Sequence, residues 1–180
     1  MRLLLPTTIL LAAACLAGCN DHDRAETITS YISLHRGSVS VHAPGRPDAD
    51  ISAAGDLSIA GKAVTVTAAE RDLLKHYYTT ALAIRDHGIA TGKAGIATAG
   101  QAISSVASGL ASGNPDKIDA EVSASANRVD ASAALVCNDL AEIRTTQETL
   151  AGSLEAFRPY ALIKASEVEA CPGRPSVHRR

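Results

Sequence analysis

Two pairs of acidic and histidine residues have types and spacing that could bind a metal ion. Asp72 and His76 are four residues apart, which places them on one face of a helix, and Asp86 and His87 follow further along. A metal site needs three or four ligands at one point, and the second pair drifts away from the face of the first. The sequence therefore favours surface roles for these residues and predicts no metal and no cofactor.

The chain contains none of the common motifs of nucleophilic or phosphate-binding enzymes. It has no Gly-x-Ser-x-Gly, no His-Glu-x-x-His and no glycine-rich loop between a strand and a helix. We therefore predict no catalytic residue and identify no small-molecule substrate. The formal net charge of −2 gives no general attraction to nucleic acid.

The first residues carry the most specific chemical motif. Arg2 precedes an apolar run, residues 3–16, which is too short to span a bilayer and has the length of a signal-peptide core. The run ends in Leu-Ala-Gly-Cys, which resembles the lipobox of bacterial lipoproteins, where the cysteine thiol receives a diacylglycerol. The resemblance implies that residues 1–18 form a lipoprotein signal peptide and that acylated Cys19 holds the mature chain on a membrane.

The residue after the lipobox bears on the choice of membrane. Asn20 stands where enterobacterial lipoproteins retained at the inner membrane have Asp. The predicted location is therefore the bacterial cell envelope, with the chain lipid-anchored and facing the periplasm, and the outer membrane is favoured over the inner.

Of the four cysteines, one lies in the predicted signal peptide and Cys19 is the predicted lipidation site, which leaves Cys137 and Cys171. Disulfides persist in the predicted compartment, so we predict a bond between these two. Their distance in sequence differs from the short Cys-x-x-Cys spacing of redox catalysts, which favours a structural bond. A straight helix would hold the two cysteines about 50 Å apart. The bond therefore requires the chain to bend, and Pro159 is the residue that disfavours a continuous helix.

Residues 37–67 alternate between apolar and polar residues, as Val39 and Val41 show, and contain turn signals at Gly55-Asp56 and Gly61-Lys62. This pattern predicts a small antiparallel β-meander of two or three strands, too few to be stable unless a helix covers one face. Residues 19–36 are polar and mixed, and are interpreted as a tether with one strand near Ile28 to Leu34.

Residues 68–171 are predicted to form a helical hairpin. Thr67 and Glu70 fit the capping box that starts a helix, and no proline follows until Pro115, next to the turn signals Gly113 and Asn114. Two antiparallel helices of about 45 residues each follow from this pattern. Residues 172–180 are predicted to be a disordered basic tail.

Glycines and isoleucines recur in register along the first predicted helix, where the isoleucines are seven residues apart. Each glycine costs a helix about 1 kcal/mol relative to alanine. We therefore predict that these small residues let the second helix approach closely and gain contacts that offset the cost. Fraying of the helix is the alternative. The predicted packing stripe consists of Gly88, Ile89, Gly92, Gly95, Ile96 and Ile103.

Two stretches resemble the YggN-like family of uncharacterised bacterial periplasmic proteins. Residues 55–67, running into Leu73-Leu74 and Tyr77-Tyr78, resemble the hairpin and first helix of that family. Residues 136–160 resemble its C-terminal part, in which a cysteine precedes a leucine-rich helix. The resemblance implies a shared fold and supplies no activity.

Together these patterns predict an α+β protein in which a small antiparallel β-meander precedes a long helical hairpin and a bent or folded-back segment. The predicted function is non-enzymatic contact with another envelope protein, with a second copy or with the cell wall. One alternative is a membrane-active oligomer that uses residues 88–113, because residues 94–114 carry no charge. A periplasmic hydrolase or metal carrier is the other alternative.

Overall fold

The structure, a computed structural model, describes residues 26–35, 37–112 and 115–171. An antiparallel sheet comes first and a long helical hairpin follows, so the predicted α+β fold is confirmed. The predicted signal peptide, the predicted lipidation site Cys19 and the predicted tail at residues 172–180 lie outside the described residues.

The sheet has six strands that follow one another in chain order, each antiparallel to the next. Two of them lie in the predicted tether and four in the predicted meander of two or three strands, so the sheet is larger than expected. The alternation of apolar and polar residues was a weak signal for these strands, because each strand has only three or four residues. The strands are β1 Glu26–Thr29, β2 Ile32–His35, β3 Ser38–Val41, β4 Ala49–Ser52, β5 Leu57–Ile59 and β6 Lys62–Val64.

The two faces of the sheet differ in polarity because side chains alternate along each strand. The inner face is apolar and packs into the core through Ile32, Leu34, Val39, Val41, Ile51 and Leu57. On the outer face, strand pairing places Ser33 opposite Ser40, Ser40 opposite Asp50, and Asp50 opposite Ser58.

Both predicted turn signals lie beside turns in the structure, each shifted by one or two residues, and Lys62 of the second signal already belongs to β6. Ala60 and Gly61 have φ values of 52° and 72°, the left-handed pair that a two-residue hairpin needs between β5 and β6. Gly55, between β4 and β5, has φ 76°, and a Cβ there would overlap the backbone carbonyl oxygen of Arg71. The turn therefore approaches the first helix closely.

Helix α1 runs over Ala68–Ser112 and begins at the predicted capping box. The Thr67 amide donates to Glu70 Oε2 at 2.8 Å, and the Glu70 amide donates to Thr67 Oγ1 at 3.2 Å. Helix α2 runs over Pro115–Ser153, with proline at its first position as predicted. The residues between the two helices lie outside those described.

The apolar core lies between the inner face of the sheet and the near half of the hairpin. Tyr77 of α1 and Phe157 meet edge to face with ring centroids 5.7 Å apart, and Ile143 and Leu150 of α2 are fully buried beside them. Among the described side chains of α1, no apolar one beyond Ile84 is buried. We call residues 85–112 and 115–136 the arm, because there the two helices extend past the core.

The chain folds back after α2, as predicted. A 3₁₀ helix at Glu155–Tyr160 contains Pro159, and a short helix, α3, follows at Ala165–Glu169. The Tyr160 hydroxyl donates to the carbonyl oxygen of Pro47 at 2.7 Å, which fixes this segment to the loop between β3 and β4.

Candidate functional site

The predicted packing stripe does not pack against α2, so this prediction is wrong. Helix α1 is continuous through it, but Ile89, Ile96 and Ile103 are 43%, 77% and 74% exposed. A Cβ added at Gly88, Gly92 or Gly95 would meet nothing within 4 Å outside its own helix. The backbone of α2 therefore makes no close approach at these glycines, although Gly95 is half-buried.

The side of α1 that faces α2 in the arm consists of other small residues. Thr91, Ala94, Thr98 and Ala102 are half-buried and Ser105 is buried, at the three- and four-residue spacing of one helix face. The two long helices do form a hairpin, as predicted, but through this face. The heptad spacing correctly indicated an apolar face and gave no information about what would cover it.

The exposed side of α1 keeps the spacing of a coiled-coil interface. Isoleucines repeat every seven residues, and each is followed three residues later by a small or β-branched residue. No charged residue occurs between Lys93 and Asp116. We call this surface the outer seam and define it by Ile89, Gly92, Ile96, Ala99 and Ile103, of which all five are exposed.

The residues considered as metal ligands bind other partners. His87 Nδ1 lies 2.6 Å from Asp139 Oδ2, and His76 Nε2 lies 2.9 Å from Glu142 Oε1, so both histidines link α1 to α2. Asp72 pairs with Lys75 and Asp86 with Arg85. Within the described residues no group of three or more His, Cys, Asp or Glu side chains could hold a metal ion.

Cys137 and Cys171 form the predicted disulfide, with Cα atoms 5.7 Å apart. The bond joins the point where α2 leaves the core to Cys171, two residues beyond the end of α3. It therefore holds the folded-back segment against α2.

A Ser-His-Asp arrangement that the sequence did not predict lies on the outer face of the sheet. The Ser33 hydroxyl lies 2.6 Å from His42 Nε2, and His42 Nδ1 lies 2.8 Å from Asp48 Oδ1. On the same face the Ser40 hydroxyl donates to Asp50 Oδ1 at 2.6 Å.

This arrangement was missed because no short motif contains it. Ser33 is on β2, His42 directly follows β3 and Asp48 directly precedes β4, so strand pairing alone brings them together. The alternation of side chains along β2 was the one signal in the sequence. Ser33 lies between the apolar residues Ile32 and Leu34, so its side chain is expected on the outer face of the sheet.

Neither the described helices nor the comparisons identify a known class of protein. No helix within the described residues combines the length and apolarity needed to cross a membrane. A scan against protein-family models, a search of curated proteins and a search of solved structures each found no match.

Proposed function

We propose that this chain is a lipid-anchored protein of the bacterial cell envelope that acts by association, and that the outer seam of α1 pairs with the outer seam of a second copy. The observation that carries the proposal is the row of three exposed isoleucines at heptad spacing on the side of α1 away from α2. Contiguous exposed apolar surface on a helix marks an interaction site more often than isolated apolar residues do.

Two copies of this surface complement each other in size when their α1 helices run antiparallel. In an antiparallel pair, Ile96 of one copy faces Ala99 of the other, and Ile103 faces Gly92. Ile96 and Ile103 then each meet a small residue, so the helices can approach closely over that part of the seam. In the same register Ile89 of one copy faces Val106 of the other. A parallel pair would instead place isoleucine on isoleucine and leave gaps at the glycines.

Charge and anchoring also favour a second copy. Because no charge occurs between Lys93 and Asp116, pairing removes no charged side chain in that stretch from water. Acylation at Cys19 would confine copies to one surface, which raises their effective concentration and helps a short interface to form. The resemblance to YggN-like proteins adds no activity to this proposal.

Crosslinking of the full-length protein in intact cells tests the pairing. The parent should give a crosslinked dimer, and Ile96→Glu should abolish it because pairing would bury an unpaired charge. Leu135→Glu is the matched control, since Leu135 is an apolar residue of α2 that is 47% exposed and lies outside the seam. It should leave the dimer intact.

Three results would contradict the proposal: an undiminished dimer in Ile96→Glu, equal loss in both variants, or crosslinks of the parent only to a different protein. Protein that carries Cys19→Ser and partitions into detergent through the arm would support the membrane-active alternative instead.

A further inference from the structure

We propose that Ser33, His42 and Asp48 form a nucleophilic relay on the outer face of the sheet that hydrolyses activated carboxylic esters with a short acyl group. This activity is independent of the pairing of α1, because it lies on the sheet and uses no residue of the arm.

The two hydrogen bonds involve the atoms that a nucleophilic serine requires. The Asp48 carboxylate can only accept, so the hydrogen of the neutral His42 ring lies on Nδ1. His42 Nε2 is then free to accept the Ser33 hydroxyl proton across 2.6 Å. A base in contact with the hydroxyl and a carboxylate that fixes the tautomer of the base are the roles that activate a serine.

Secondary structure holds the three side chains in place. The pairing of β3 with β4 sets residue 42 opposite residue 48, and the pairing of β2 with β3 brings Ser33 next to that pair. Ser33 lies within a paired strand, whereas His42 and Asp48 are the loop residues that adjoin β3 and β4. Backbone hydrogen bonds still hold both: the His42 amide donates to the Tyr31 carbonyl oxygen at 2.8 Å, and the Ala60 amide donates to the Asp48 carbonyl oxygen at 3.3 Å.

Access and local backbone geometry define the substrate. The His42 and Asp48 side chains are 42% and 54% exposed, so the base is open to solvent. Ser33 is only 3% exposed, so burial restricts access to its hydroxyl, and only a short acyl group could approach it from the side on which His42 is open. Since β2 is paired on both sides, its amides are used within the sheet and are poorly placed to stabilise an oxyanion. The ester must therefore have a good leaving group, such as a phenolate.

The reaction balances with water as the only co-reactant. His42 Nε2 takes the proton of Ser33 as Oγ attacks the acyl carbon, and the same proton then goes to the departing alcohol or phenol oxygen. The acyl group is left on Ser33. A water molecule then attacks the acyl carbon while His42 Nε2 takes a proton from that water. The bond between the acyl carbon and Ser33 Oγ breaks, Oγ takes the proton back from His42, and the carboxylic acid leaves.

Ser40 provides a control within the same sheet. It is the cross-strand partner of Ser33 and is also nearly buried, but its hydroxyl donates to the carboxylate of Asp50, and no imidazole is bonded to it. The two serines fall in different tryptic peptides because Arg36 separates them.

Methanesulfonyl fluoride, a small reagent that transfers its sulfonyl group to an activated serine with loss of fluoride and a proton, is the first probe. Applied to the full-length chain in detergent, it should modify Ser33 about 100-fold faster than Ser40, the scale of a general-base contribution. His42→Ala should reduce the rate at Ser33 to that at Ser40. Asp48 is a positioning residue, so Asp48→Asn should slow the modification and Asp48→Glu should restore it.

Hydrolysis of p-nitrophenyl acetate is the second readout. It should be lost in Ser33→Ala and unchanged in Ser40→Ala, with melting temperatures showing that both variants fold. Equal modification of the two serines, no adduct on Ser33, or hydrolysis that persists in Ser33→Ala through His42 alone would overturn the proposal, leaving these bonds a purely structural role in holding residues 43–48.

Discussion

Single polar residues in the core differ in whether their hydrogen bonds are made. Gln147 is buried, and its amide is used at both ends: Nε2 donates to the Ile163 carbonyl oxygen at 2.5 Å, and Oε1 accepts from the Ile163 amide at 3.2 Å. Tyr77 is fully buried, and its hydroxyl has no partner among the described residues. Burial raises the pKa of that hydroxyl well above its ordinary value. An unpaired buried hydroxyl costs free energy that the aromatic ring does not.

Tyr77→Phe is therefore expected to raise the free energy of unfolding, by about 1 kcal/mol, since it removes the unpaired hydroxyl and keeps the ring against Phe157. Urea denaturation measures the change. Tyr78→Phe, at a half-buried position, should change stability less. A loss of stability in Tyr77→Phe would show that the hydroxyl has a partner.

Asp56 is the residue from which acid sensitivity is expected. Its hydrogen bond and ion pair with Arg71 hold the pKa of the Asp56 carboxyl below its ordinary 3.8. A lowered pKa in the folded state stabilises the protein above the unfolded value, and this contribution is lost as the pH falls through the folded value.

Asp56→Asn should therefore lower the melting temperature slightly near neutral pH, and the difference from the parent should shrink as the pH falls below 3.8, the ordinary pKa of the carboxyl. High salt should reduce the difference as well, because both side chains are exposed. A difference that is constant from pH 7 to pH 2 would exclude this ion pair as its cause.

At the scale of elements, α1 is a helix with two different faces. Its first four turns bury large side chains against the sheet and α2, whereas its arm part packs on α2 through small residues and exposes its isoleucines. The sequence predicted the start of α1, the hairpin and the chain reversal, because capping and proline act within a few residues. The exposure of the isoleucines depends on which side of α1 is covered by α2, and no local sequence pattern determines that.

Gly95→Ala and Gly100→Ala should each stabilise α1 by about 0.5 to 1 kcal/mol, because alanine favours a helix and a Cβ at either site meets nothing within 4 Å. Chemical denaturation of the two variants and the parent measures this. Gly55→Ala is the contrasting variant and should be destabilising, since its φ is positive and its Cβ would overlap Arg71. If Gly95→Ala were destabilising, close contact at that glycine would have to be reconsidered.

At the scale of the whole molecule, strand pairing and one covalent bond join distant parts of the chain. The chain has one Phe and no Trp, and the core lies only in the near half of the hairpin. The number of strands in the sheet and the contact between Ser33 and His42 could not be predicted from the sequence. Both depend on the register between strands, which a pattern of three or four residues does not determine.

Replacing both Cys137 and Cys171 with serine should lower the free energy of unfolding by about 3 to 4 kcal/mol, the range expected for a closed loop of this length. Denaturation with and without reductant tests this. The reductant should destabilise the parent to the level of the variant and leave the variant unchanged. A parent that is insensitive to complete reduction would mean that the bond adds little to the packing of the folded-back segment.

The same bond determines what a protease can release from this protein. Lys164 is exposed between the bonded cysteines, so trypsin cleavage there leaves the two pieces covalently joined until a reductant is added. Lys93 and Arg128 are exposed in the arm, outside the closed loop, and a cut at both would free the tip of the hairpin from an otherwise intact body. Limited digestion could therefore remove the outer part of the arm and leave the sheet, with its serines, for separate study.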